Sequence, residues 1–409
     1  MRILVQKFGG SSVADLECMK KVRNKVRQEL ETGHKLIVVL SARYGQTNKL
    51  LEMAYQWSDE PDPAEVDVLL TTGEQEAVAL FAMLLRSGGI NARSMLGYQV
   101  PIKTDASFGN ARILSIDANY LRRCLEKYDV LVMAGFQGGT EEGRLTTLGR
   151  GGSDTSAVAL AAALGEGAEC HIYTDVDGVY TTDPRICPDA RKIARVSYEE
   201  MLEMASMGAK VLQIRSVEFA NKYKVPVRVL STFSNDPGTL LTQEDDMMES
   251  VLVSGIAYDK DQARVTLCGV PDKPGISATI FMPLAEGNIL VDMIVQKASR
   301  EGITDLTFTV SRKDLKHALT IVEKVCESLG CECVEHDLNV AKVSVIGVGM
   351  RNHSWVAARA FEALHRANVN IIMISTSEIK ISCLIEEKEV DLAVNTLHRE
   401  FELQVPRAK

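Results

Sequence analysis

The sequence has no basic excess: 46 Lys and Arg stand against 55 Asp and Glu, a formal net charge of −9 over 409 residues. Nucleic acid and an anionic bilayer both need a basic footprint, so neither is an expected partner. No uninterrupted apolar run reaches the roughly 18 residues of a membrane span. The opening Met1–Phe8 has too short an apolar stretch for a signal peptide. Metal-ligand spacings are missing as well: the seven histidines form no His-Glu-x-x-His pair, no Cys-x-x-Cys occurs, and Cys331-Glu332-Cys333 stands alone. No metal site is expected from these residues. A G-x-x-x-x-G-K-[ST] loop is absent, since the run from Gly138 ends Gly143-Arg144-Leu145. Gly347-Val348-Gly349 follows a strand-like run, but Asn352 stands where a dinucleotide fingerprint needs its third glycine. Nine scattered cysteines, an odd count without framework spacing, read as reduced thiols of a cytoplasmic protein.

What is present is globular. Hydrophobic residues make up 46% and charged residues 25%, and this length suggests about two to three domains. The first 230 or so residues alternate β-rich runs with helical patterns. Ile3–Lys7, Lys35–Ser41, Val130–Ala134, Cys170–Thr174 and Val225–Leu230 read as strands. A helix with Leu16, Met19, Val22, Val26 and Leu30 on one face follows the first, 64–85 reads as a second helix, and Thr155 to Leu164 as a small-residue helix. Continuous apolar strands alternating with helices predict an α/β fold with a mostly parallel sheet sandwiched by helices. An acidic, turn-rich stretch, Thr242–Glu249, reads as a linker.

Beyond it lies an internal repeat. Ala263–Val270 matches Ala341–Val348 at Ala, Val, Gly and Val, and Asn288–Ile294 matches Asn368–Ile374 at Asn, Met and Ile. Each copy reads βαββαβ, over 263–270, 275–286, 289–296, 303–310, 312–329 and 331–335, then 341–348, 353–366, 369–375, 379–385, 387–398 and 401–405. That order is the ferredoxin-like arrangement. Expected domains are 1–245 (catalytic), 260–336 and 337–409 (sensor modules).

Three clusters carry chemistry. Gly9-Gly10-Ser11-Ser12 between a strand and a helix offers backbone N–H groups to a phosphate, with Lys7 adding a charge; the alternative is a tight turn beside an exposed lysine. Gly149-Arg150-Gly151-Gly152-Ser153-Asp154 opens another helix, and its guanidinium suits a substrate carboxylate. Asp154 alone would serve as an N-cap, which leaves Arg150 and the paired glycines unexplained. The loop Thr174–Arg185, with Asp175, Asp177, Tyr180, Asp183 and Arg185, can frame a nucleotide; as a calcium loop its glycine comes too early and no Glu closes it.

With Ser41-Ala42 and Thr47, Gly73-Glu74, Thr104-Asp105, Phe108-Gly109, Ala134–Gly138 and Gly208-Ala209-Lys210, these runs closely resemble the aspartate kinases of the amino acid kinase family, over essentially the whole chain. The repeat resembles that family's paired ACT domains. The resemblance implies transfer of the ATP γ-phosphoryl group, with Mg2+, to the side-chain carboxylate of L-aspartate. An ionised carboxylate is already a nucleophile, which fits the lack of a His or Cys base. By the same resemblance, Lys7 bridges acceptor and phosphate, and Asp154 orients Lys7 or the metal. Ser41, Thr47 and Ser153 hydrogen-bond aspartate, Glu74 takes its ammonium group and Arg150 its α-carboxylate. The loop Lys7-Phe8-Gly9-Gly10 and residues Thr174, Asp175, Tyr180, Asp183, Arg185 and Lys210 hold ATP. Asp272, Gly275, Asp292, Gln296, Asn370, Ser377 and Glu378 resemble effector-site residues, implying feedback by lysine or threonine. Ala42–Gln46, just before Thr47, departs from the family pattern. The resemblance further implies a homo-oligomer, or pairing with a regulatory chain begun at Met247 or Met248. With Lys409 last, no fused homoserine dehydrogenase is expected. The alternatives are an acetylglutamate or glutamate kinase of the same fold and a non-catalytic amino-acid sensor.

Overall fold

In the computed structural model, residues 2–405 are described apart from 101, 166, 208–210, 245–250, 299–301 and 354. Lys210, Met247 and Met248 therefore lie outside the described residues. The chain divides into two units, one of residues 1–179 and 192–246, the other of 180–191 and 247–409.

Strands of the first unit are β1 (Ile3–Phe8), β2 (Lys35–Leu40), β3 (Ala92–Met95), β4 (Ile102–Thr104), β5 (Ile113–Ile116), β6 (Val130–Ala134), β7 (Gln137–Gly139), β8 (Leu145–Thr147), β9 (Glu169–Thr174), β10 (Arg195–Ser197), β11 (Val227–Ser231) and β12 (Thr239–Thr242). Eight form one sheet in the order β10-β12-β11-β9-β1-β2-β6-β3, while β4, β5, β7 and β8 form a smaller sheet. Every pairing in the large sheet is parallel except β11 with β12. Its central strands are buried on both faces, which is why β2 is apolar from Leu36 to Leu40 without alternation.

The helices are α1 (Leu16–Glu31), α2 (Gln46–Trp57), α3 (Pro63–Ser87), α4 (Ala118–Lys127), α5 (Gly152–Leu164), α6 (Tyr198–Ser206) and α7 (Ile214–Tyr223). Asp15, Asp62 and Asp117 cap α1, α3 and α4, and Ser197 with Glu200 forms a capping box on α6. Val22 and Val26 of α1 and Val78, Phe81 and Leu85 of α3 share one core with Leu4, Phe8, Leu36, Val38 and Leu40. By length and composition α3 is apolar enough to cross a bilayer, but half of that stretch is buried in this unit, and the helix carries Asp67 and Glu74 into the interior. On α5 almost every residue is buried, and small residues permit its close approach: a Cβ on Gly135 would sit 2.7 Å from that of Ser153.

The second unit holds one six-stranded antiparallel sheet of β13 (Gly255–Pro271), β14 (Val291–Gln296), β15 (Ile303–Val310), β16 (Cys333–Ile346), β17 (Met373–Thr376) and β18 (Lys380–Glu386), in the order β14-β15-β13-β16-β18-β17. Its helices are α8 (Ile276–Glu286), α9 (Leu315–Leu329), α10 (Trp355–Arg366) and α11 (Val390–Glu400). The first module follows the expected βαββαβ order, with α8 and α9 packed on Val265, Leu267, Leu306 and Phe308. The expected strands 331–335 and 341–348 are instead one continuous strand, β16. The expected strand 401–405 is a run of turns. Its place beside the second module's first strand is taken by Gly255–Asp259, which pair with Lys342–Ile346. The first module is thus inserted into the second. A late strand was unnecessary because an earlier segment already satisfied that edge.

Residues 180–191 also depart from the contiguous catalytic segment 1–245. Ile186 and Cys187 pack with Val253, Ile256, Val345 and Leu397, and Ile256 N–H donates to Thr181 O at 2.7 Å. Burial of Cys187, with Ile186 partly covered beside it, fixes the segment in the second unit.

Candidate functional site

The C-terminal edge of the large sheet builds the site, at the point where the chain leaves β1 for β2 on one side and β9 pairs on the other. Alternation along β1 sends Phe8 toward α1 and Lys7 toward α5. Phe8 is fully buried and stacks on Tyr173 at 4.5 Å, so its side chain belongs to the core and only its backbone borders the site. Lys7 Nζ lies 2.6 Å from Asp154 Oδ1 in the first turn of α5, both side chains about one-tenth exposed. Gly9–Ser12 does not open the long helix directly. It forms a four-residue 3-10 turn, Gly10–Val13, ahead of α1. A Cβ on Gly10 would come 2.8 Å from Ala42 O, so glycine lets this loop lie against the chain after β2. Ser12 Oγ and Thr232 Oγ1 share a hydrogen bond of 2.7 Å, and Thr232 N–H donates to Thr174 O, joining the ends of β1, β9 and β11.

Across the loop stands Glu74, 3% exposed in the middle of α3. Ala42 N–H donates to its Oε1 at 3.0 Å, and its Oε2 has no hydrogen-bond partner among the described residues. Burial pushes its carboxyl up to about 7, against which the Ala42 N–H is a smaller opposing influence. A buried carboxyl with one oxygen left over, held at the turn after β2 by Ala42, is suited to receive a cation; Ser41 precedes that turn and the half-buried Thr47 lies in the first turn of α2. Gly73 lets α3 come this close, since its Cβ would be 2.9 Å from that of Ala42.

Arg150 is exposed at the tip between β8 and α5, flanked by Gly149 and Gly151 at φ +76° and +71°. A Cβ on Gly151 would fall 1.9 Å from Gln213 Cγ, so no other residue fits there. Two residues that sequence reasoning missed hold this tip. Asp67 is fully buried and accepts from Gly109 N–H at 3.1 and 2.9 Å, Thr147 N–H at 2.8 Å and Thr147 Oγ1 at 2.6 Å. Arg215 donates to Leu148 O at 2.7 Å, Ala111 O at 2.5 Å and Asn110 Oδ1 at 3.3 Å. The only available signal for Asp67 was a carboxylate within Val66–Leu70 on the buried stripe of a helix.

Lys7, Ser41, Glu74, Ser153 and Asp154 are thus gathered at the sheet edge with the glycine loop, and Thr174 and Asp175 stand at the end of adjacent β9, Thr174 Oγ1 donating to Asp175 at 2.9 Å. Tyr180, Asp183 and Arg185 belong to the second unit. There Asp183 accepts from Arg185 and from Tyr258 Oη at 2.9 Å, and the Arg185 hydrogen bonds hold its carboxyl down at about 2.

Residues 2–231 match the amino acid kinase family, and 264–327 and 343–401 each match an ACT domain. The chain is 52% identical over 407 residues to the aspartate kinase of Pseudomonas putida, covering 99% of each. The chain belongs to the aspartate kinase family. It is 48% identical over 405 residues to the aspartokinase of Helicobacter pylori, covering 98% of this chain and 99% of that one. Among solved structures it is similar to E. coli aspartokinase III in complex with aspartate and ADP (R-state), at TM-score 0.79 and 28% identity, over 97% of this chain and 99% of that one. The same relative in complex with lysine and aspartate (T-state) matches at TM-score 0.77 and 28% identity, over 98% and 99%.

In the ACT unit of this aspartate kinase family member, Asp292 and Gln296 lie on edge strand β14, while Ser377 and Glu378 follow the opposite edge strand β17. The sheet's edges approach each other, since Met293 and Met373 share an apolar cluster with Val340 and Leu384. Asp292 is ion-paired with the buried Lys342 and accepts from Gln262 at 3.5 Å. Its carboxylate already has a cation. Gly275 caps α8 at φ +90°, with Asp272 exposed just before it, and Asn370 is exposed ahead of β17.

Proposed function

We propose that this chain transfers the γ-phosphoryl group of ATP to the side-chain carboxylate of L-aspartate, forming 4-phospho-L-aspartate and ADP. The observation that carries the reading is the pairing of opposites at one sheet edge: the Lys7–Asp154 ion pair on one side, and on the other a buried Glu74 with an unpartnered oxygen. Phosphoryl transfer asks chiefly for alignment and charge neutralisation. Lys7 stabilises charge on the transferred group, held in place by Asp154. Glu74 takes the substrate ammonium and Arg150 its α-carboxylate, with Ser41, Thr47 and Ser153 hydrogen-bonding the rest. The attacking carboxylate is ionised at neutral pH and needs no base.

Thr174 and Asp175 meet the nucleotide at the end of β9; Tyr180, Asp183, Arg185 and Lys210 are assigned to ATP on the family resemblance. Asp175, the exposed carboxylate at the C-terminal end of β9, would hold Mg2+, which would neutralise charge on the ATP phosphates; Asp154 is already balanced by Lys7. The ACT modules bind lysine or threonine, a reading supported by the E. coli relative solved with lysine. An effector ammonium competes there with Lys342 for Asp292. Nine unpaired thiols fit a reducing, cytoplasmic setting.

The test is incubation with MgATP and L-aspartate plus hydroxylamine, which traps an acyl phosphate as the hydroxamate. Aspartyl hydroxamate formed in step with ADP, and lost with EDTA, is the expected result. Equal trapping with glutamate or N-acetylglutamate, or none with any acceptor, refutes the assignment.

A further inference from the structure

The sequence offers no metal-ligand spacing, yet the tertiary structure assembles one. Cys268 of β13 is directly opposite Cys333 of β16, and Thr266 is opposite Glu335. Cys333 and Glu335 are two apart on one strand, so their side chains share a face with Cys268. That face is turned away from the module's helices: Val265 and Leu267 point into the core, while the Thr266 and Thr307 hydroxyls meet at 3.0 Å on the other side. The two sulfurs and a Glu335 carboxylate oxygen all lie within 4.8 Å of one another. Asp305 contributes negative charge on neighbouring β15, where it accepts from Gly269 N–H at 3.2 Å and holds Lys297 at 2.6 Å.

We propose that Cys268, Cys333 and Glu335 form a binding site for a thiophilic divalent cation of the zinc class. Zinc takes cysteine sulfur at about 2.3 Å and carboxylate oxygen at about 2.0–2.2 Å, so two sulfurs on one ion lie less than about 4.6 Å apart. The three donor atoms, within 4.8 Å of one another, stand close to that spacing. Cys268 is half-buried and Cys333 and Glu335 are exposed, which leaves an entry path and a fourth position for water. Binding displaces one proton from each thiol to the buffer, and two thiolates plus one carboxylate outweigh the charge of the ion. The module's apolar core is complete without metal, so the site is preformed by strand register and does not drive folding.

Cobalt(II) is the probe. The full chain, reduced with a phosphine and stripped of metal, is titrated with Co2+ and then Zn2+. A sulfur-to-cobalt charge-transfer band saturating at one equivalent per chain, erased by Zn2+, is expected. Cys268→Ser and Cys333→Ser each abolish it, and Glu335→Gln weakens binding about tenfold or more. Cys331→Ser, a thiol close in sequence but outside the set, leaves the band intact and reports on general thiol binding. No band in the wild type under excess Co2+, or a band that survives Cys268→Ser together with Cys333→Ser, overturns the proposal.

Discussion

Replacing Glu74 with Gln separates substrate recognition from folding. The amide keeps an oxygen for the Ala42 N–H, now at 3.0 Å, but removes the charge that receives the substrate ammonium. A hydrogen bond to a charged partner contributes about 1.5–3 kcal/mol, so KM for aspartate should rise about 10- to 150-fold with kcat less affected. The effect on stability is small because two contributions oppose. The carboxyl rises from 4.5 to about 7 in the folded chain, and at about 1.4 kcal/mol per pH unit this charge destabilises the fold by about 3 kcal/mol above pH 7. That penalty fades as pH falls through 7 toward 4.5, because the folded state binds the proton more tightly than the unfolded one. Glu74→Gln removes it but leaves a buried NH2 group without an acceptor, a loss of about 1–3 kcal/mol. Below pH 7 the wild-type carboxyl is neutral before aspartate arrives, so kcat/KM for aspartate should fall about tenfold per pH unit well below 7. Initial rates between pH 5.5 and 8.5 at saturating MgATP, alongside thermal unfolding, measure both. A wild-type KM in Glu74→Gln, or the same pH profile in variant and wild type, would refute the role of Glu74.

Lys7→Ala and Arg150→Ala should each lower kcat/KM for aspartate about a hundredfold or more. Lys7→Ala also strands the buried Asp154 charge, lowering stability by about 3–5 kcal/mol in urea titrations, and adding Asp154→Asn should restore stability without restoring turnover. Asp67→Asn replaces one of the two accepting oxygens with an NH2 group facing N–H donors, and should lower stability by about 2–3 kcal/mol and raise amide exchange at Gly109 and Thr147. Asp292→Asn should leave unliganded turnover intact and shift inhibition by lysine or threonine about 5- to 150-fold, read from inhibition curves at fixed aspartate; unchanged inhibition places the effector elsewhere.

The sequence by itself determined what is local or periodic. The apolar run of β2, the small residues of α5 and the glycine loop after β1 set a parallel sheet with a charged edge, because strand burial and backbone freedom follow directly from side-chain type. The ordered motifs fixed the family, and the repeat fixed two ferredoxin-like modules. What required the tertiary structure is every property created by residues distant in the chain. Glu74 is an ordinary carboxylate in sequence; its raised affinity for a proton comes from α3 burying it against Ala42. Asp67 and Arg215 hold the Arg150 tip mainly through backbone groups, which carry no sequence signature. Nothing local shows that 180–191 leaves the first unit, since only the core it joins buries Cys187 and partly covers Ile186. Strand order decided the rest: Gly255–Asp259 fills an edge that the pattern assigned to 401–405, and the register of β13 on β16 sets Cys268 against Cys333. A strand's partner is chosen by hydrogen-bond satisfaction across the whole sheet, and its own residues specify only which face it buries.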